Sequence, residues 1–265
     1  MVYILSSNEW VEPDTPANQK LLNAVNTNDI AGVREAFEQG AIPDVVLKET
    51  MTTQFRDFGI IDENAPINTH SSEMPLVLRI GVQEMDSSDT AAAIEVFQEF
   101  LNRGVSVTAT ETEHGRCVIH SAASLRDVTL LRDVVARGAD INVYSPVFGT
   151  ALSIVIVGCR RDKEGPELPA IQFLLENGAD PNVPDSMGML PLINIAICNH
   201  PKAAQLLLQY GADPSLIAQP RHGNLGGPKG RTALEYAQRM GNKEVAEVLI
   251  SAQADTSYPA TGAKE

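Results

Sequence analysis

Three phrases, "RGADINV", "NGADPNV" and "YGADPSL", each close an apolar run, and their glycines stand at Gly138, Gly178 and Gly211. A phrase that recurs every 33 to 40 residues restricts the chain to architectures that repeat one supersecondary unit. A step of 34 back from Gly138 lands on Gly104 in "LNRGVSV", and Gly40 closes "VREAFEQGAIPD". "SAQAD" near the C-terminal end, with Gln253 in the glycine place, is a degenerate sixth copy.

Upstream of each phrase lies an amphipathic run of helical period: "IAGVREAFEQ", "AAAIEVFQEFLNR", "RDVTLLRDVVAR", "PAIQFLLEN", "PKAAQLLLQY" and "NKEVAEVLISA". Glycine after such a run takes positive φ without a Cβ clash, so it is expected to turn the chain out of the helix. Before each of these runs is a shorter one: "GRCVIHSAA", "FGTALSIVI", "GMLPLINIA" and "GRTALEYAQ", with "EMPLVLRIG" and "QKLLNAVNT" as weaker versions. Thr150 and Thr232 suit N-cap positions, and Pro75 and Pro191 suit a first helical turn. Small residues such as Ala122, Ala123, Ala196 and Ala237 allow close helix packing. The unit is therefore helix, short turn, helix, glycine, extended connection.

The stretch "HGRCVIHSAASLRDVTLLRDVVARGADIN", from His114 to Asn142, resembles the ankyrin repeat, whose pattern is G-x-T-P-L-H-x-A-A, a helix, then G-A-D-x-N. His120, Gly138, Asp140 and Asn142 stand at matching places, and the resemblance runs from about residue 19 to residue 255. It implies an all-α ankyrin-repeat solenoid of about six stacked helix-turn-helix units with β-turn fingers, at roughly 19–44, 68–108, 111–142, 145–182, 185–214 and 227–255. Residues 1–18 are read as an N-terminal extension, 45–67 as an insertion with one helix over Val45 to Phe58, 217–231 as a long finger, and 256–265 as a disordered tail.

Composition narrows the function. With 34 acidic against 20 basic residues the net charge is -14, which disfavours nucleic acid and anionic membrane surfaces and favours basic partners. The opening "MVYILSSNEWVEPDTP" lacks the features of a secretory or transit signal, and no window is long and apolar enough to span a membrane. Cys117, Cys159 and Cys198 read neither as a disulfide framework nor as a metal site, so a cytoplasmic or nuclear location is expected.

Chemistry-bearing motifs are weak. "GNLGGPKGRT" resembles a phosphate loop only loosely: Pro228 stands where the second glycine belongs, and Thr232 does not directly follow Lys229. The histidines show no zinc-binding spacing, and no G-x-S-x-G elbow marks a nucleophile. His120 is expected to be structural. No catalytic residue, cofactor or metal is assigned.

The resemblance instead implies a binding surface on the fingers and the inner face of the repeats. Those positions are held by Glu113, His114, Arg116 and Leu125, then Val147 and Val157, then Met187, Met189, Ile197 and Cys198, then Lys229, Arg231, Arg239 and Met240. The middle of this set is apolar and its end is basic, as suits a site for another protein's peptide or domain. A non-enzymatic interaction module or scaffold, taken as a monomer, is the expected function. The alternative is an enzyme or small-ligand protein whose pocket is built from Met187, Met189, Ile197 and Cys198 and enclosed by the insertions.

Overall fold

The computed structural model describes residues 2–4, 10–11, 15–50, 71–80, 87–111, 114–157, 159, 165, 167–218 and 230–254. Helices alternate in pairs: α1 (Pro16–Asn26) with α2 (Ile30–Glu38), a 3-10 turn (Leu76–Arg79) with α3 (Ser87–Asn102), and α4 (Val118–Leu125) with α5 (Val128–Ala136). Next come α6 (Ala151–Val157) with α7 (Glu167–Glu176), α8 (Pro191–Cys198) with α9 (Pro201–Gln209), and α10 (Ala233–Met240) with α11 (Lys243–Ala254). The chain divides into two compact units, Met1–Ser121 and Ala122–Glu265.

Within the second unit, first helices pack on first helices in chain order, α6 on α8 and α8 on α10, while α5, α7, α9 and α11 do the same in a second row. Ala151, Ala170, Ala196, Ala204 and Ala237 are buried along these rows, where small side chains let backbones approach. The helix starts follow from side-chain caps. Asp127 accepts from the Leu130 amide at 2.9 Å, and Thr150 accepts from Ser153 at 3.2 Å. Thr232 and Glu235 form a reciprocal capping box. Pro191 occupies the first turn of α8, as expected, whereas Pro75 ends a strand and precedes the 3-10 turn.

The recurring phrase has a physical explanation. Gly40, Gly104, Gly138, Gly178 and Gly211 all have φ between 83° and 95°, the left-handed region that ends the second helices α2, α3, α5, α7 and α9. The following aspartate closes a small turn: Asp140 accepts from the Asn142 amide at 2.9 Å, Asp180 from Asn182 at 2.8 Å, and Asp213 from Ser215 at 2.8 Å. The asparagine then joins neighbouring repeats. Asn142 donates to the Gly178 carbonyl and accepts from the Asp180 amide, both at 2.9 Å. Asn182 does the same to Gly211 and Asp213, at 2.9 and 2.8 Å.

In the first unit α1 packs on α2, and α2 on α3. Phe37 meets Phe100 edge-on with ring centroids 5.3 Å apart, and the Arg103 guanidinium lies over the Phe37 ring. Glu99 bridges Arg103 at 2.9 Å and Arg34 at 3.5 Å. The unit also holds a four-stranded antiparallel sheet in the order β2-β1-β3-β4, from β1 (Val2–Ile4), β2 (Trp10–Val11), β3 (Val45–Thr50) and β4 (Ser71–Pro75). This corrects the helix expected over Val45 to Phe58: Val45–Thr50 is a strand paired on both sides, and residues 51–58 lie outside the described residues. "VVLKET" opens with two β-branched residues, and its partners come from the N-terminal extension and from beyond the insertion.

Candidate functional site

Successive fingers share one construction, in which a buried polar residue at the base ties down the amides of the tip. Ser145 Oγ accepts from Val147 at 3.3 Å and Phe148 at 3.0 Å, under a hairpin closed by Ser145 and Gly149. Forty residues on, Asp185 Oδ1 accepts from Met187 and Met189, both at 2.9 Å, and its Oδ2 from Asn194 Nδ2 at 2.9 Å. In the first unit Glu111 takes this place, accepting from the His114 amide at 2.9 Å and lying 3.1 Å from His114 Nδ1. The long finger is closed at its base by the Ala218 amide donating to the Arg231 carbonyl at 3.2 Å.

This construction turns one apolar side chain outward at corresponding tips. Val147 is 36% exposed and Met187 48%, and Ile217, at the start of the next finger, is 52% exposed. Val157 at the end of α6, Arg239 and Met240 are also exposed. Other residues expected on this surface lie deeper. Arg116, Leu125 and Met189 are buried, so they support the surface rather than present it. His114, Ile197, Cys198 and Arg231 are half-buried, while Glu113 and Lys229 fall outside the described residues, as does most of the glycine-rich finger tip.

Arg116 is held by its Nε donating to Ser121 Oγ at 3.2 Å, and Ser121 in turn donates to the Leu78 carbonyl at 3.4 Å. Burial lowers the Arg116 guanidinium to about 10, opposed by neighbouring Glu111, so it stays cationic at neutral pH. His120 is fully buried and accepts from the Cys117 amide at 2.9 Å, in keeping with a structural role. Glu111, Ser145 and Asp185, which hold the finger tips, are residues that sequence reasoning misses. Their one signal is position: each opens the segment between the turn after one second helix and the next first helix.

A cleft of about 280 Å³ lies at the opposite end of the helices, where first helices finish and second helices begin. Cys159, Gly165, Glu167, Asn199, His200 and Glu244 are among its walls, and Met187, Met189, Ile197 and Cys198 are not. Burial pushes the Cys159 thiol up to about 12, with Glu167 and Cys198 adding to the shift and Arg126 opposing it, which leaves a neutral, poorly nucleophilic group. Among the described residues no cluster of three His, Cys, Asp or Glu side chains suits a metal ion. None of their helices is long and apolar enough to cross a membrane.

Within the second unit, helix pairs stacked in order, left-handed glycines after α5, α7 and α9, and asparagines bridging neighbours are the features of the ankyrin-repeat class. A family model described as "Ankyrin repeats (3 copies)" matches residues 159–259. Curated relatives agree, each bearing the name "Ankyrin repeat, SAM and basic leucine zipper domain-containing protein 1". The protein from Dasypus novemcinctus is 30% identical over 125 residues, 47% of this chain and 25% of its own length. That from Carollia perspicillata is 33% identical over 114 residues, 43% of this chain and 23% of its own. The Microcebus murinus protein is 29% identical over 136 residues, 51% and 27% respectively. Residues 159–259 of this chain therefore match ankyrin repeats, and its matches span about a quarter of the length of these relatives.

Proposed function

We propose that the finger surface of the second unit binds another protein, gripping a segment that offers apolar side chains at the spacing of the repeats. Ankyrin repeats are in general protein-interaction modules, and the observation that carries this reading is the exposure of Val147 and Met187 at equivalent tips, with Ile217 beginning the finger after them. Apolar side chains held in water by fixed backbone are favourable contacts waiting for a partner. The tip amides are already bonded to Ser145 and Asp185, so binding orders little chain and loses little entropy. Arg239 and Met240, on the last turn of α10, extend the surface toward an acidic or apolar contact.

The acidic chain, net -14, draws basic partners at long range, while the exposed apolar tips set the close fit. Cys117, Cys159 and Cys198 are unbridged, which suits the reducing interior of the cytosol or nucleus.

The test is a Val147→Asp/Met187→Asp double variant of the full chain, quantified beside the wild type in affinity capture from lysate. Both side chains are exposed, so the melting temperature should stay within about 2 °C, consistent with surface changes of at most about 0.5 kcal/mol each. Partners captured by the wild type should be lost. Retention of every partner at unchanged abundance overturns the proposed surface.

A further inference from the structure

Glu167 opens α7, yet its side chain is not at the surface: the residue is 5% exposed. Its Oε1 lies 3.7 Å from Arg126 Nη1, longer than a charge-assisted hydrogen bond. Its Oε2 is buried and has no hydrogen-bond partner among the described residues. A carboxylate oxygen can only accept, so this atom calls for a donor. Gly165 leaves the space beside it open, because a Cβ there would run into Glu167 Oε2.

The surroundings of that oxygen select the kind of donor. The cleft passes the C-terminal end of α8 at Asn199, where helical carbonyls carry partial negative charge. Glu244 adds an exposed carboxylate from the first turn of α11. Leu168 and Ile171 supply aliphatic wall. A cationic head at depth with methylenes along the wall matches this order of chemistry, as long basic side chains place their stems on apolar surface. Lys202 has the opposite sign, but it is exposed on α9 and screened by salt, whereas Glu167 is buried and screened far less. Among the described residues no cluster suits a metal ion, and an organic cation fits both the carboxylate and the apolar wall.

From the buried Glu167 carboxylate, whose Oε2 has no hydrogen-bond partner among the described residues, at a cleft with Leu168 and Ile171 in its wall, we infer that this edge of the repeats is a second binding site, which takes an arginine side chain from a segment of a partner protein. The guanidinium donates to Glu167 Oε2, and its propyl stem lies along Leu168 and Ile171. The site is at the inter-helix turns, at the other end of the helices from the finger tips, and does not depend on the finger surface.

The experiment is a titration of the isotope-labelled full chain, followed by amide chemical shifts. The probes are a capped Gly-Arg-Gly tripeptide and its citrulline counterpart, which keeps the shape and loses the charge. Arginine should produce saturable shifts in residues 167–171 and 199–203, with citrulline at least tenfold weaker. Glu167→Gln should weaken arginine binding at least tenfold. Gly165→Ala, which keeps the charge but crowds Oε2, should weaken it as well, and this variant decides the matter if Glu167→Gln lowers the melting temperature. The Val147→Asp/Met187→Asp variant should bind the tripeptide like wild type, which separates this site from the finger surface. No saturable shift at those residues, citrulline binding as tightly as arginine, or full affinity in Gly165→Ala overturns the inference and leaves the oxygen to a buried water.

Discussion

Gly138 has φ of 95° and nothing within 4 Å of the place a Cβ would occupy, so any cost of substitution there is a backbone cost. Left-handed backbone is disfavoured for a residue with a Cβ by roughly 1–2 kcal/mol, and more for β-branched ones. Gly138→Val should therefore lower stability by about 2 kcal/mol in chemical denaturation, and Gly138→Asn by distinctly less. Equal midpoints for Gly138→Val and wild type would mean that positive φ is not what requires the repeated glycine. At Cys159 the chemistry is protonation. Its thiol is raised to about 12 chiefly by burial, so between the ordinary thiol range near 9 and about 12 the unfolded chain gives up this proton and the folded chain keeps it. The unfolded state then binds fewer protons, and stability falls as pH rises through that window. Cys159→Ser should flatten the fall in melting temperature between pH 9 and 11. Alkylation of Cys159 by iodoacetamide, mapped by mass spectrometry, should keep accelerating with pH and show no plateau below pH 11.

Asn182 is one side chain with two inter-repeat hydrogen bonds, and it acts at the scale of the element because it fixes one unit against the next. Asn182→Ala leaves the Gly211 carbonyl and the Asp213 amide without these partners, at about 1 kcal/mol per lost bond. A drop of about 1–2 kcal/mol is expected, measured by urea unfolding, with the m-value unchanged. The part of the fold legible in the sequence is the part made by such local or periodic chemistry. The second helices show themselves by apolar period and a closing glycine, and Thr232 marks the start of α10 by its hydroxyl three residues before Glu235. Val45–Thr50 reads as a helix in sequence because what makes it a strand is remote: β1 pairs with it from more than forty residues upstream, and β4 from beyond the insertion. The finger surface is half legible for a related reason. Position along the repeat locates Val147 and Met187, but whether a finger residue faces water or the core depends on the bonds of Ser145 and Asp185, and these sink Met189 while raising Met187. Glu167 is hidden altogether, since a glutamate at a helix start reads as a solvated end charge until the packing of its neighbours is known.

At the scale of the whole molecule the dominant quantity is a net charge of -14 spread over 265 residues. Two electrostatic effects oppose each other. Pairs at the surface such as Lys20 with Glu35, and Arg34 and Arg103 around the half-buried Glu99, are favourable contacts that salt weakens, but surface pairs contribute only about 1 kcal/mol each. Repulsion among the excess carboxylates acts over longer distance and disfavours the compact chain. The turn aspartates put acidic groups along one side of the second unit, Asp140 and Asp180 exposed and Asp213 half-buried, one in each of three successive repeats. Raising ionic strength from about 0.01 M to 0.15 M shortens the screening length from about 30 Å to about 8 Å. That removes repulsion between charges on successive repeats while leaving contacts at about 3 Å less affected. Added sodium chloride should therefore raise the melting temperature over this range, and Asp140→Asn should raise it at low salt and do little at 0.15 M. A melting temperature that falls as salt is added would mean that the few close pairs outweigh the repulsion of the whole, and that the acidity of this chain is not a load on its stability.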